Sequence, residues 1–189
     1  MNMFRIIKDL FNMPRSITGE PIKKTLGYIK NEISRLKILK FKSGTKVFDW
    51  VVPEEWNIND AYIKNSKGKK ILNFKKNYLN IVYHSTPVKK WISKKDLLKR
   101  IHYDDTIPTA VPYVTSYYKK YWGFCMTKNQ VKKLSEKNYY VHIDSSFKKG
   151  NLEMGLYLKK GNQKKEIFFS TYICHPSMAN DNIASTALQ

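Results

Sequence analysis

The segment from Glu166 to Ile173, EIFFSTYI, is apolar on both faces of an extended backbone, the pattern of a central strand covered on each side by helices. That pattern sets the expected class as α/β. The polar loop CHPSMANDN follows, and IASTALQ then opens a helical pattern that stops at Gln189. A chain rarely ends one turn into the helix that should cover its central strand, so the sequence suggests a fragment or a prematurely ended chain.

Upstream, Phe4, Ile7, Leu10 and Phe11 share a helical face over 3–13, and Ile22, Leu26, Ile29, Ile33 and Leu36 share another over 22–36. Between them, RSITGEP supplies a turn in which Ser16 and Thr18 read as caps and Pro21 suits a first helical turn. The period changes to two from Ile38, predicting strands at 37–42 and 46–52 around Ser43-Gly44. From Pro53 the texture is that of short strands: AYIK, KILNF and LNIVYHS. Ser93 with Asp96, and Thr127 with Gln130, read as capping boxes ahead of short helices reaching Ile101 and about Glu136. The aromatic stretch between these helices reads as a structured loop. Strands return at YYVHID and at NLEMGLYLKK, where Leu152, Met154, Leu156 and Leu158 alternate.

At 189 residues with 42% apolar and 14% aromatic side chains, the chain can fill a core, which excludes disorder as its main state. No run of about 18 apolar residues predicts a membrane span, and Lys8 and Asp9 interrupt the opening before a signal-peptide core could form. The expected location is cytoplasmic. Cys125 and Cys174 are too few for a disulfide framework, and neither lies in a CxxC pair. The net charge of +20 points by itself to an anionic partner. Its makeup argues against a dedicated nucleic-acid surface, because only Arg5, Arg15, Arg35 and Arg100 are arginines and the lysines are scattered in pairs.

His175 and Asp181 lie in the loop leaving the carboxyl end of the expected central strand, where open α/β sheets place their ligands. An imidazole binds one Zn²⁺ and a carboxylate can bridge two, an arrangement suited to metal-assisted hydrolysis. By themselves, a histidine and an aspartate six residues apart also fit an ordinary loop with a turn-forming Asp between Asn180 and Asn182.

Four blocks carry a resemblance: RSITGE (15–20), SGTKVFDWVVPEEWNINDAYI (43–63), the IPTAVPYVTSYYKKYWGFC stretch from Ile107, and STYICHPSMANDN (170–182). In this order they resemble the N-terminal part of a bacterial zinc aminopeptidase-like family, related to the co-catalytic zinc aminopeptidases. The family combines a zinc-peptidase domain, an inserted lid domain and a C-terminal winged helix. The resemblance implies a mixed sheet flanked by helices, in segments 1–50 and 140–189, interrupted by a small β-rich lid at 51–139. It implies that His175 binds one zinc ion, that Asp181 bridges two, and that the peptide after Asp181 is cis. The general-base Glu and remaining ligands are expected beyond residue 189, so the isolated chain is expected to be inactive and to hold zinc weakly or not at all. Peptide-like or amide small molecules are the implied substrates, surface-polysaccharide genes are frequent companions, and an oligomer is possible. Ala184-Ser185 stands where relatives carry Ser-Gly, and the family's IPYVTSYY is altered either by an extra Thr109-Ala110-Val111 between Ile107-Pro108 and Pro112-Tyr113 or by a shifted proline.

Other candidates have bland readings beside functional ones. His84, His102 and His142 have no second ligand at useful spacing. Cys174 beside His175 could form a nucleophilic pair, but adjacent residues at a strand end point to opposite faces, which makes Cys174 a small buried residue. Arg15 could bind a substrate carboxylate. Tyr113, Tyr117, Tyr118, Tyr121 and Trp122 could stack nucleobases or pack an inserted domain. The alternative to a hydrolase is therefore a non-catalytic basic module for single-stranded nucleic acid or a protein partner, the latter through an exposed sheet edge.

Overall fold

A computed structural model describes residues 2–189 as a mixed α/β chain with several small sheets. It divides into two compact units, one built from residues up to Glu55 together with Phe147–Gln189, the other from Trp56–Ser146.

The first unit opens with α1 (Met3–Phe11), whose leading amides are capped by the Asn2 side chain, accepting from Phe4 N at 3.0 Å and Arg5 N at 3.4 Å. Its inner face contributes Ile6 and Leu10 to a cluster with Ile183 and Ala187. The second helix, α2 (Glu20–Glu32), starts from Gly19 at φ 99° with Pro21 in its first turn. The expected hydroxyl caps are not caps. No side chain caps this helix, and Thr18 Oγ1 instead donates to the Glu54 carbonyl at 3.0 Å. After it, β1 (Lys37–Lys42) follows the predicted bounds, whereas 46–52 is not one strand. It forms a tight pair, β2 (Lys46–Val47) and β3 (Trp50–Val51), because the chain reverses at Phe48, φ 52°.

The second unit is organised around a four-stranded sheet. Its strands are β4 (Glu55–Lys64), β5 (Lys70–Asn73), β6 (Val88–Ser93) and, later in the chain, β9 (Asn138–Lys148), in the order β5-β4-β9-β6. Its outer pairs, β5 with β4 and β6 with β9, are antiparallel. Alternation holds on β9, where Tyr139, Val141 and Ile143 are buried while Tyr140 and His142 face outward. LNIVYHS departs from its expected strand. It forms a single 3₁₀ turn at Tyr78–Asn80 and then isolated bridges from Tyr83 to Thr115 and Ser85 to Tyr121, with His84 at φ 65° between them. Buried bonds secure this irregular stretch. Trp56 Nε1 and Ser145 Oγ both donate to the Ser85 carbonyl, at 2.9 and 2.8 Å.

Both capping residues accept from the expected amide, Ser93 for α3 (Lys94–Leu98) and Thr127 for α4 (Lys128–Lys132), and only the Thr127–Gln130 box is fully reciprocal. Each helix stops short of its expected end. Between them lie β7 (Ile101–His102) and β8 (Phe124–Cys125), paired in parallel. The aromatic loop packs mostly within its own unit: Tyr113 meets Tyr83 at 5.5 Å, Tyr117 meets His84 edge-on at 4.7 Å, and the Arg100 guanidinium covers Tyr121 and Trp122. Tyr118 remains exposed.

Back in the first unit, β10 (Asn151–Leu156) pairs with β1 in antiparallel register, Lys37 opposite Leu156 and Lys42 opposite Asn151. The expected central strand is corrected here. Among the described residues 166–173 pairs with no strand, and Ile167, Phe168 and Phe169 are 85%, 83% and 74% exposed. The expected single mixed sheet is likewise replaced by several small ones. An apolar segment becomes a central strand only when strands flank it and helices cover both faces; among the described residues no strand flanks it, and the closing helix, Ala184–Leu188, reaches only its far end at Thr171. The chain then passes a wide turn at Ala179–Ile183 into α5 (Ala184–Leu188). Among the described residues no helix is long and apolar enough to cross a membrane.

Candidate metal centre

His175 and Asp181 flank the turn between the extended 170–175 segment and α5, and hydrogen bonds fix both sides of that turn. Asn182 Nδ2 donates to Thr171 Oγ1 at 2.8 Å, Thr171 and Ser185 share a 3.0 Å hydroxyl bond, and Ser185 Oγ meets the Asn182 carbonyl at 2.8 Å. This chain of small polar groups ties the extended segment to the start of α5. Ser185, at a position where the resemblance expects glycine, is one of its links. The Asp181–Asn182 peptide is cis, as the resemblance implies.

Around these bonds Ser170, Thr171, Tyr172, Asn180, Asp181, Asn182 and Ser185 line an open depression of ≈ 390 Å³. The Tyr172 hydroxyl donates to Asp181 Oδ1, and this bond to a carboxylate raises the phenol's pKa. The same ring lies 4.8 Å, centroid to centroid, from the His175 imidazole. Tyr172 therefore touches both candidate ligands. Sequence reasoning passed over it, although it lies in the STYICHP block.

His175 is half-buried. Desolvation lowers its pKa, partly opposed by the charge of Asp181 and reinforced by Arg15. The imidazole is thus neutral near pH 7, the form that ligates metal. Its carbonyl accepts from Arg15 Nη2 at 2.7 Å, while Arg15 Nη1 donates to the Leu10 carbonyl. Arg15 is only 1% exposed, so the role in holding a substrate carboxylate gives way to a structural one: it fastens the backbone at His175 to the end of α1.

Cys174 is also corrected in detail. The backbone here is not a strand, so side chains need not alternate, and Cys174 Sγ lies 3.2 Å from His175 Nδ1. Burial raises the thiol's pKa, which disfavours the thiolate that a nucleophile requires. Cys125 is wholly buried, its thiol pushed up to about 12.

Residues 55–146 match a family described as a domain of unknown function, DUF2172. A Clostridium acetobutylicum protein, provisionally named a polysaccharide biosynthesis protein with an aminopeptidase-like domain, is 47% identical over 189 residues. The alignment takes in 98% of this chain and 43% of that protein. A 2.37 Å crystal structure of a provisionally assigned peptidase from the same organism superposes with a TM-score of 0.93 at 46% identity, covering 98% of this chain and 44% of that one. The chain thus spans less than half the length of these relatives, and the fold it shares with the solved structure extends over nearly all of its own residues.

A neutral imidazole and a carboxylate near it are donors that suit zinc, so the residues present fit the metal that the resemblance implies. Among the described residues no third His, Cys, Asp or Glu joins them in a group of three. Full tetrahedral closure would need donors from elsewhere. His84, His102 and His142 lie in the other unit, each stacked on or against an aromatic ring.

Proposed function

We propose that this chain carries the first metal-binding loop of a zinc-dependent, aminopeptidase-like amide hydrolase serving polysaccharide biosynthesis. The observation that carries the proposal is the joint placement of His175 and Asp181. Tyr172 contacts both, and Arg15 anchors the loop, in a chain 47% identical to a relative whose name includes an aminopeptidase-like domain. In this reading 1–50 and 140–189 are the peptidase segments, and the intervening β-rich region is a lid that restricts substrates. His175 and Asp181 would hold the metal, through the imidazole and the carboxylate. Zinc, when bound, supplies Lewis acidity toward an amide carbonyl and lowers the pKa of water.

The chain's own residues have preparatory roles. Tyr172 orients the Asp181 carboxylate through its hydroxyl, and the Arg15 bond holds the His175 backbone in place. Two ligands give weak affinity and no general base, so the isolated chain is catalytically silent in this reading. Isothermal titration with zinc tests it. Wild type should bind in the micromolar range, and the His175→Ala, Asp181→Ala double variant should not. Identical isotherms for the two proteins would remove both residues from the metal site.

A further inference from the structure

The outward face of the four-stranded sheet gathers four rings from three strands. On paired strands Trp91 of β6 stands opposite Tyr140 of β9, and Lys89 stands opposite His142. The Trp91 and Tyr140 rings meet edge to face at 5.4 Å, Tyr140 lies 6.5 Å from Tyr62 of β4, and Tyr62 stacks on His142 at 4.7 Å. Lysines surround them. Lys70 and Lys64 place their ammonium groups 4.0 and 4.8 Å from the Tyr62 centroid. Strand alternation puts two carboxylates on the same face, Asp60 two residues before Tyr62 and Asp144 two residues after His142. Asp60 pairs with Lys70 at 3.4 Å, and Asp144 accepts from Asn59 Nδ2 at 3.2 Å. Trp91 is 55% exposed although it is the largest apolar side chain on the face. The rings Tyr62, Tyr140 and His142 are only partly buried.

We propose that this face binds an acidic saccharide chain, with Trp91 as its stacking platform. The proposal rests on the polysaccharide part of the functional reading above and is independent of its zinc part. Three features select the ligand. A ring face is electron-rich and apolar, and it packs against the C–H face of a pyranose without displacing polar groups. The carboxylates on the same face, Asp60 and Asp144, match a ligand rich in hydroxyl groups, since a carboxylate accepts hydroxyl hydrogen bonds. The cations select an acidic polymer over a neutral one: Lys64, Lys70 and Lys89 border the rings, and the sequence from Trp56 to Ser146 holds 18 Lys and Arg against 6 Asp and Glu. Of those 18, only Arg100 is arginine, so planar, bidentate recognition of phosphates is poorly provided for.

The test is calorimetric titration of the full chain with tetragalacturonate, maltotetraose and an oligothymidylate, in buffer containing a chelator. Tetragalacturonate should bind more tightly than maltotetraose. Trp91→Ala should weaken it roughly tenfold and Trp91→Phe should largely restore it, as expected for loss and recovery of one aromatic contact. Both variants should stay fully folded at the titration temperature, with only a small drop in melting temperature from loss of the Tyr140 contact, because more than half of Trp91 is exposed. The His175→Ala, Asp181→Ala variant should bind tetragalacturonate like wild type, so failure of the zinc reading leaves this result intact. The proposal is overturned if tetragalacturonate does not bind, or binds equally to Trp91→Ala. Equal binding of maltotetraose overturns its acidic part, and Trp91-dependent binding of the oligothymidylate alone assigns the face to nucleic acid instead.

Discussion

Arg15 Nη2 donates to the carbonyl oxygen of His175 at 2.7 Å, joining positions 160 apart in sequence. The guanidinium is buried and serves two carbonyls, those of Leu10 and His175, which a lysine could not reach in the same fork geometry. Arg15→Ala leaves both carbonyls without this donor and should cost about 3 kcal/mol. Urea denaturation would measure the loss, and amide exchange should accelerate around 173–176. Arg15→Lys should recover less than half. An unchanged midpoint and unchanged exchange in Arg15→Ala would show that the loop is held by other means.

Gly150 approaches Glu55 so closely that an added Cβ would lie 2.3 Å from the carboxyl group. That carboxyl is fixed, because Oε1 accepts from Asn151 N and Oε2 from Lys23 Nζ, both at 2.9 Å. Burial raises the Glu55 pKa, but these bonds outweigh it and leave the group below its ordinary value. Gly150→Ala should therefore destabilise by about 1–3 kcal/mol. The effect should be smaller in a Glu55→Ala background, as a double-mutant cycle would reveal. Full additivity would separate the two residues.

His84 is buried against Trp56 and Tyr117, and desolvation pushes its pKa down to about 4 from 6.5. Between those values the unfolded chain takes up a proton that the folded chain refuses, so stability rises with pH across this window. The contribution is fully present above pH 6.5 and is lost as pH falls towards 4, by about 3 kcal/mol in all. His84→Asn keeps a residue type that tolerates the positive φ and should remove this part of the slope. Urea midpoints at pH 7 and pH 4.5 for both proteins test it, and equal slopes would refute the assignment.

The two thiols should separate cleanly by reactivity. Cys174 is partly accessible, whereas Cys125 is buried with its thiol at about 12. A thiol reagent should titrate one equivalent in the native protein, abolished by Cys174→Ala, and reach the second only in denaturant. Native-state labelling of Cys125 at the same rate would contradict the packing around β8.

Local signals in the sequence are legible where the physics is local. The apolar periodicity of 3–13 and 22–36 gave the two opening helices, β1 falls on 37–42, and the Thr127–Gln130 box marks α4 at its first residue. Long-range partners were not legible. The residue that fastens Arg15 lies 160 positions away, and Thr18, which reads as a cap, bonds Glu54 instead. LNIVYHS has strand composition, yet His84 adopts a positive φ that no strand pattern announces. At the candidate site His175 and Asp181 could be named from their loop, while Tyr172 could not, because its role depends on a tertiary bond between its hydroxyl and Asp181. The ring-bearing sheet face was invisible for the same reason: its four members come from three strands.

The bare stretch of Ile167, Phe168 and Phe169 also governs how this polypeptide behaves at concentration. Among the described residues its backbone pairs with no strand, the side chains of 167–169 face solvent, and from Ile167 to Ile173 it carries no charge, proline or glycine to act as a gatekeeper. Like segments on neighbouring molecules can therefore stack as cross-β rungs in spite of the protein's +20 charge, and salt that screens that charge should hasten the process. Sedimentation velocity across a concentration series in low and high salt should show growing assemblies, and Phe168→Lys should dissolve them.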